Sequence, residues 1–460
     1  MATNTAHKPD NGSSQAAPVF IWWCITALLV AVITGVYFFK KFSISSSAET
    51  NTSQRPNIIF IIADDIGWND YHFNGHPVLQ TPHIDKLASE GVVFNNAYAT
   101  NAICRPSLAS IITGLYPSQH MITANARAIN VRRGEYELGL PPYAKRMNTL
   151  DTLPRELARL GYRSYQAGKW WEEGYANGGF DDGDKKPQGL FRHVTRMNVI
   201  GREGLQPVFD FIDNNKQRPF FIWYAPQMPH TPHNPPEKFL NPYVHQTNDI
   251  NVAKYWGMVS WFDDTIGQII DHLQAQGLRN NTIIVYMADN GVSLQSDIEN
   301  TGSADGKDTP YEMGNRTPII FNWPAHWQPA QRDTLISSID VFPTLMDLLQ
   351  SPVNNLPGQS VLPSITENKM TARDYVVGEG YPDPGKEVFD SPRKFRWIRY
   401  QQLPNQWKLI SLNTGQIELF NLSTDPDEKR NLFSDPSTLA IQSELLKRLN
   451  KALPERGHLP

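Results

Sequence analysis

From Arg55 onward the chain alternates short apolar runs with stretches whose apolar residues recur every three or four positions. Asn57–Ala63 (NIIFIIA), Pro219–Ala225 (PFFIWYA) and Thr282–Ala288 (TIIVYMA) are nearly uninterrupted apolar runs, the pattern of strands buried on both faces. Tyr162–Ala167 and Pro318–Trp323 are weaker candidates of the same kind. His83–Val92, Thr152–Gly161 and Trp261–Gly277 carry helical spacing and close near a glycine. Strands alternating with helices predict βαβ units around a mostly parallel sheet. From about Thr366 the pattern changes. Lys394–Tyr400, Gln406–Leu412 and Gln416–Leu422 read as antiparallel strands joined by turns, and Ser437–Leu453 as a closing amphipathic helix. The expected fold is α/β: a mostly parallel central sheet flanked by helices, with a smaller C-terminal α+β subdomain carrying an antiparallel sheet. No internal repeat is visible.

The first 54 residues follow a different pattern. Residues 1–17 are polar and rich in Ser, Asn and Ala, the composition of a disordered tail. Residues 18–39 are uncharged and apolar, about the length, roughly 20 residues, of a bilayer-spanning helix. Residues 40–54 form a mostly polar linker. The expectation is a single-pass signal anchor. A cleaved signal peptide, with a site in the following SSSA, is the rival reading, and a buried core helix a third. Lys40 and Lys41 outweigh Lys8 and favour a cytoplasmic main domain, yet long domains translocate largely regardless of such charges. An outer, periplasmic or extracellular, main domain is expected over residues 55–365, followed by the subdomain 366–460.

Composition narrows the function. A net charge of −4 over 460 residues gives no electrostatic case for nucleic acid. The two cysteines cannot build a disulfide framework, because Cys24 lies inside the apolar N-terminal run. The other, Cys104, is either reactive or a small buried hydrophobe. Oligomeric state is not legible.

Chemistry-bearing residues collect where strands end. Asp64 and Asp65 follow the first run, and Asp289, Asn290 and Gly291 follow the Thr282–Ala288 run. Lys169 follows Tyr162–Ala167, and PQMPHTPH, with His230 and His233, follows Pro219–Ala225. Open α/β sheets bind ligands at the carboxyl ends of their strands. Asp64, Asp65, Asp289 and Asn290 are oxygen donors delivered in pairs, which suits a hard cation such as Ca2+; solvated turn residues or helix caps are the plain alternative. Lys169, Lys307 and Arg316, each of which could equally be a solvated surface residue, and His230 beside such a cation would make a site for a tetrahedral oxyanion. Pro106 suits the first helical position, with Leu108, Ile111, Ile112 and Leu115 on one apolar stripe. Cys104 would then sit at a helix N-terminus, where the dipole lowers a thiol's pKa.

These residues, in this order, resemble the formylglycine-dependent sulfatases, of alkaline-phosphatase-like fold. The markers are RPNIIFIIADDIGWND, CRPSLASIITGLYP, GKWW, PHTPHNPP, MADNG, GKDTPYEMGNRTPIIFNWP, IDVFPTL and LFNLSTDPDEKRNL, spread from Arg55 to the C-terminus. The resemblance implies hydrolysis of a sulfate ester, carbohydrate or aryl. It implies Asp64, Asp65, Asp289 and Asn290 as ligands of a divalent cation, usually Ca2+. It implies Cys104 as the residue oxidised to formylglycine, whose hydrate is the nucleophile and also touches the cation. Lys169, His230 and Lys307 would hold the sulfate or handle protons at the leaving group.

Two positions depart from the family pattern. The usual C-x-P-x-R motif ends here in Leu108, with an arginine at Arg105 instead, and Trp171 stands where a histidine usually follows the lysine. Arg105 or His233 is expected to make up part of the loss. A phospho- or phosphonate-ester hydrolase on the same scaffold, and a non-catalytic binding protein with unmodified Cys104, are the alternative readings. Specificity is expected from the Trp171–His193 loop, where Glu172, Glu173 and His193 could reach a sugar or aryl alcohol.

Overall fold

The computed structural model describes residues 55–125, 146–172, 174–184, 199–292, 306–367, 369, 373–382 and 393–454, within one compact unit, Arg55–Pro460. Fourteen strands, β1 to β14, are β1 Asn57–Ala63, β2 Val92–Phe94, β3 Ala97–Tyr98, β4 Arg163–Gly168, β5 Asp182–Gly183, β6 Phe220–Ala225, β7 Thr282–Ala288, β8 Ile319–Asn322, β9 Ala330–Arg332, β10 Ile336–Ser337, β11 Tyr375–Gly380, β12 Phe395–Gln402, β13 Asn405–Leu412 and β14 Ile417–Asn421 among the described residues. Eight of them form one sheet in the order β5-β4-β6-β1-β7-β8-β2-β9. The five strands from β5 to β7 run parallel, whereas β8 is antiparallel to both β7 and β2. The fold is thus mixed α/β around a mostly parallel sheet, and β11–β14 form a separate antiparallel sheet in chain order.

The apolar runs became central strands because each face meets its own core. Along β1, Ile59, Ile61 and Ala63 pack on one side with the helix Ile250–Ala275. Ile58, Phe60 and Ile62 pack on the other with the helices Cys104–Thr113 and Val341–Leu348. Alternate residues of a strand point to opposite faces, so a strand sandwiched between helices must be apolar throughout. The Ile250–Ala275 helix begins well before the expected Trp261. Its start is set by Asp249, whose side chain accepts from the Asn251 amide at 2.8 Å. Strands β2, β3, β5, β9 and β10 have three residues or fewer and show no periodicity to read.

The C-terminal sheet carries the closing helix Leu439–Ala452 through Leu445 and Leu449. It is locked to the large sheet's side of the molecule by a buried charge network. Lys408 Nζ lies 3.0 Å from both Glu312 Oε1 and Glu428 Oε1, the Tyr98 hydroxyl donates to Glu312 Oε2 at 2.7 Å, and Arg399 Nε donates to that hydroxyl at 2.9 Å. Among the described residues no helix is long and apolar enough to cross a membrane; the expected span, residues 18–39, lies outside them.

Candidate active site

Register decides which strand ends meet. Ala63 pairs with Ala288, and Gly168 pairs with Ala225, so β4, β6, β1 and β7 finish side by side on one edge. Asp289 N–H donates to Ala63 O at 3.0 Å, Asp64 N–H to Met228 O at 3.0 Å and Lys169 N–H to Ala225 O at 2.6 Å. The residues after each strand are therefore held by the sheet's last hydrogen bonds. Two glycines permit the close approach. Gly168 has φ +94°, and a Cβ at Gly291 would lie 1.8 Å from Met313 O. Successive residues of an extended strand point opposite ways, yet Asp64 and Asp65 face one site, and Asp65 has φ 62°.

Asp64, Asp65, Cys104 and Asp289 are all buried, and each brings one donor atom within 4.8 Å of the others. The thiol lies 3.6 Å from Asp64 Oδ1 and 3.7 Å from Asp65 Oδ1. Asn290 Nδ2 donates to Asp65 Oδ1 at 2.7 Å. Cations close around this group: Lys169 binds Asp64 and lies 3.6 Å from Asp289 Oδ2, Lys307 binds Asp65, and His230 Nε2 is 3.4 Å from Asp65 Oδ2. His230 is oriented through Nδ1, 2.9 Å from Thr231 O and 3.1 Å from Thr231 Oγ1.

Electrostatics follow the geometry. Burial alone would push the Asp65 carboxyl up, but Lys307, His230 and Lys169 outweigh it and hold it well below the usual carboxylate range. Burial pushes Asp289 up; Lys169 opposes, Asp64 and Asp65 add to it, and the result is about 7. Burial also works against the Lys169 and Lys307 ammoniums, yet the carboxylates around them raise both above normal. Cys104 corrects the expected helix-dipole effect. Its thiol is pushed up, first by burial and then by Asp65 and Asp289, against Lys169 and Lys307. As a resting thiol it is protonated.

The donor set fits a hard cation. Three buried carboxylates converge, and Asp64 Oδ2, Asp289 Oδ2 and Asn290 Oδ1 are buried with no hydrogen-bond donor.

A family model described as Sulfatase matches residues 56–351, and one described as N-sulphoglucosamine sulphohydrolase, C-terminal, matches residues 305–455. The chain belongs to the sulfatase family. The N-acetylgalactosamine-6-sulfatase of Mus musculus is 30% identical over 366 residues, 70% of this chain and 68% of that protein. The N-acetylgalactosamine-6-O-sulfatase of Bacteroides thetaiotaomicron is 26% identical over 86% of this chain and 93% of its own. Among solved structures, Ps i-CgsB in complex with k-i-k-neocarrahexaose aligns with a TM-score of 0.71 at 24% identity, covering 88% of this chain and 94% of that one. This sulfatase is accordingly a sulfuric ester hydrolase.

The helix carrying Cys104 starts at Cys104 itself, with Pro106 inside its first turn, and all ten of its residues are buried rather than one stripe. Arg105 Nε and an Nη bond Glu172 at 2.7 and 2.9 Å, with both side chains almost fully buried, so Glu172 is not a substrate-facing rim residue. Glu173 and His193 lie outside the described residues. Burial, aided by His230 and Arg202, lowers the His233 pKa to about 4, and its Nε2 is buried without a partner. Arg316 stacks on Trp68 at 3.8 Å and donates to Asn95 O at 2.9 Å. Sequence reading missed Arg202, which donates to His230 O at 2.8 Å, Gln227 O at 3.0 Å and Pro232 O at 3.1 Å, holding the His230 loop. No motif marks such a backbone contact.

Proposed function

We propose that this sulfatase hydrolyses a carbohydrate sulfate ester with a formylglycine derived from Cys104 beside a Ca2+ ion. The observation that carries the reading is the convergence of Asp64, Asp65, Cys104 and Asp289 donor atoms within 4.8 Å, flanked by Lys169 and Lys307. Asp64, Asp65, Asp289 and Asn290 would hold the cation, which when bound supplies Lewis-acid polarisation of a sulfuryl oxygen. Formylglycine would supply a geminal diol, whose second hydroxyl allows sulfate to be expelled where a serine ester would stall.

The chain's own side chains do the rest. Lys169 and Lys307, kept charged by the carboxylates around them, bind the sulfuryl oxygens and offset charge that builds there. With Nδ1 donating to Thr231 O, a protonated His230 carries its second proton on Nε2, facing the site. That proton goes to the departing alcohol oxygen as its bond to sulfur breaks. Overall one water is consumed, and the alcohol and sulfate are released.

Sulfate over phosphate is supported by the family model and by the sulfatase relatives. The carbohydrate assignment rests on the relatives named above, and the segment 18–39 would tether the enzyme to a membrane. Mass spectrometry of the Cys104 peptide, with turnover of sulfate and phosphate esters of one aryl alcohol and of 6-sulfated N-acetylgalactosamine, tests the reading. A formylglycine mass and sulfate preference are expected. Full turnover with an unmodified thiol overturns the formylglycine assignment, and faster phosphate hydrolysis overturns the sulfate one.

A further inference from the structure

We propose that the Arg105–Glu172 pair is a positioning device for Lys169, an inference that rests on the reading of Lys169 as a sulfuryl-oxygen ligand. Arg105 immediately follows Cys104 in the first turn of its helix, and Glu172 comes three residues after Lys169, beyond the end of β4. The two side chains are 1% and 3% exposed and meet through two parallel hydrogen bonds of 2.7 and 2.9 Å. The pair therefore ties the segment carrying Lys169 to the helix carrying Cys104. A buried ion pair is poorly explained by stability alone, because apolar replacements of similar volume often do as well. What a bidentate pair adds is a fixed geometry.

Helix geometry separates this role from that of the arginine missing at Leu108. Residues four apart share a helix face, so Leu108 lies on the side of Cys104, whereas Arg105 is turned by about 100°. Its guanidinium accordingly reaches across to the β4 segment, where Trp171 lies between Lys169 and Glu172 with its ring 5.9 Å from Lys169 Nζ. The pair also occupies both oxygens of Glu172. Released from Arg105, that carboxylate would be free to compete for the Lys169 ammonium, three residues away in the chain, and draw it from the site. Released from Glu172, the guanidinium would no longer anchor the Lys169 segment to the helix carrying Cys104. Each single neutralisation is therefore harmful, and removing both charges together leaves two amides that still hydrogen-bond.

The experiment compares wild type with Arg105→Gln, Glu172→Gln and the double variant, each also in a Lys169→Met background. Turnover of an aryl sulfate and calorimetric binding of inorganic sulfate are measured, with Cys104 conversion checked by mass spectrometry and folding by thermal melting. Arg105→Gln is expected to raise KM and weaken sulfate binding about tenfold, and the double variant to return to within about threefold of wild type, the coupling expected of contacting groups. With Lys169 already removed, the same substitution should cost less than about twofold. Equal KM and sulfate affinity in all single variants overturns the proposal. So does a loss of the same size with and without Lys169, which marks a purely structural pair. Lost turnover with Lys169-dependent sulfate binding retained counts against the catalytic reading and leaves the pair's role standing. A wild type that binds no sulfate overturns both.

Discussion

Lys408 offers the sharpest test of how the C-terminal sheet is held. Its side chain is fully buried, and its ammonium sits 3.0 Å from one oxygen each of Glu312 and Glu428. Replacing it by methionine keeps the length and removes the charge. Breaking a buried ion pair by deleting one partner costs about 3–5 kcal/mol. A unit of about 400 residues loses roughly 0.8 kcal/mol per degree at its midpoint, so the expected drop in Tm is about 4–6 °C. The pH dependence is more telling than the size. Burial pushes Glu312 up, but Lys408, Arg316 and Arg399 outweigh it and bring it to about 2. Glu428 is raised to about 7, by burial and by Glu312 against the pull of Lys408. A depressed carboxyl contributes stability above its unfolded pKa of about 4.3, lost as pH falls toward 2; a raised one contributes below that value and loses it as pH climbs through 7. The wild-type network therefore supports the fold best near pH 4 to 5. Without Lys408 both carboxyls rise, and ionising them becomes costlier as pH increases. The Lys408→Met deficit should be larger at pH 8 than at pH 5, read by thermal denaturation in both buffers. An equal deficit at the two pH values, or none, refutes the reasoning.

Three further outcomes follow from the site. Asp289→Asn should weaken Ca2+ binding at least about tenfold by calorimetry, since one fully buried carboxylate of the converging set is lost. His230→Gln should slow hydrolysis of alkyl sulfates by about 10²–10³ while sparing activated aryl sulfates, because only a poor leaving group needs the proton; equal losses on both would count against a general acid. Gly291→Ala should abolish soluble expression or activity, because the new methyl would overlap Met313 O and push apart the Asp289–Asn290 turn.

The central strands were legible because burial on both faces forces unbroken apolar runs, and the runs at Asn57–Ala63 and Thr282–Ala288 coincide with β1 and β7. The chemistry at their ends was legible through repetition: two buried runs each end in Ala followed by Asp and then Asp or Asn, a pattern that single turn residues do not explain. Arg202, the early start at Ile250 and the two- and three-residue strands were not, since each depends on contacts between distant segments rather than on a local period.

By itself the sequence determined which acidic, amide and cationic side chains follow which strand ends, because residue type and hydrophobic period are local properties. Only the tertiary structure decided that four strand ends lie side by side, through the register of β4, β6, β1 and β7. Only it turned Asp65 toward Asp64 by a left-handed backbone, raised rather than lowered the Cys104 thiol by burying it among carboxylates, and spent the charge of Arg105 on Glu172. Those outcomes depend on distance and desolvation, which are set by chain segments far apart in the sequence.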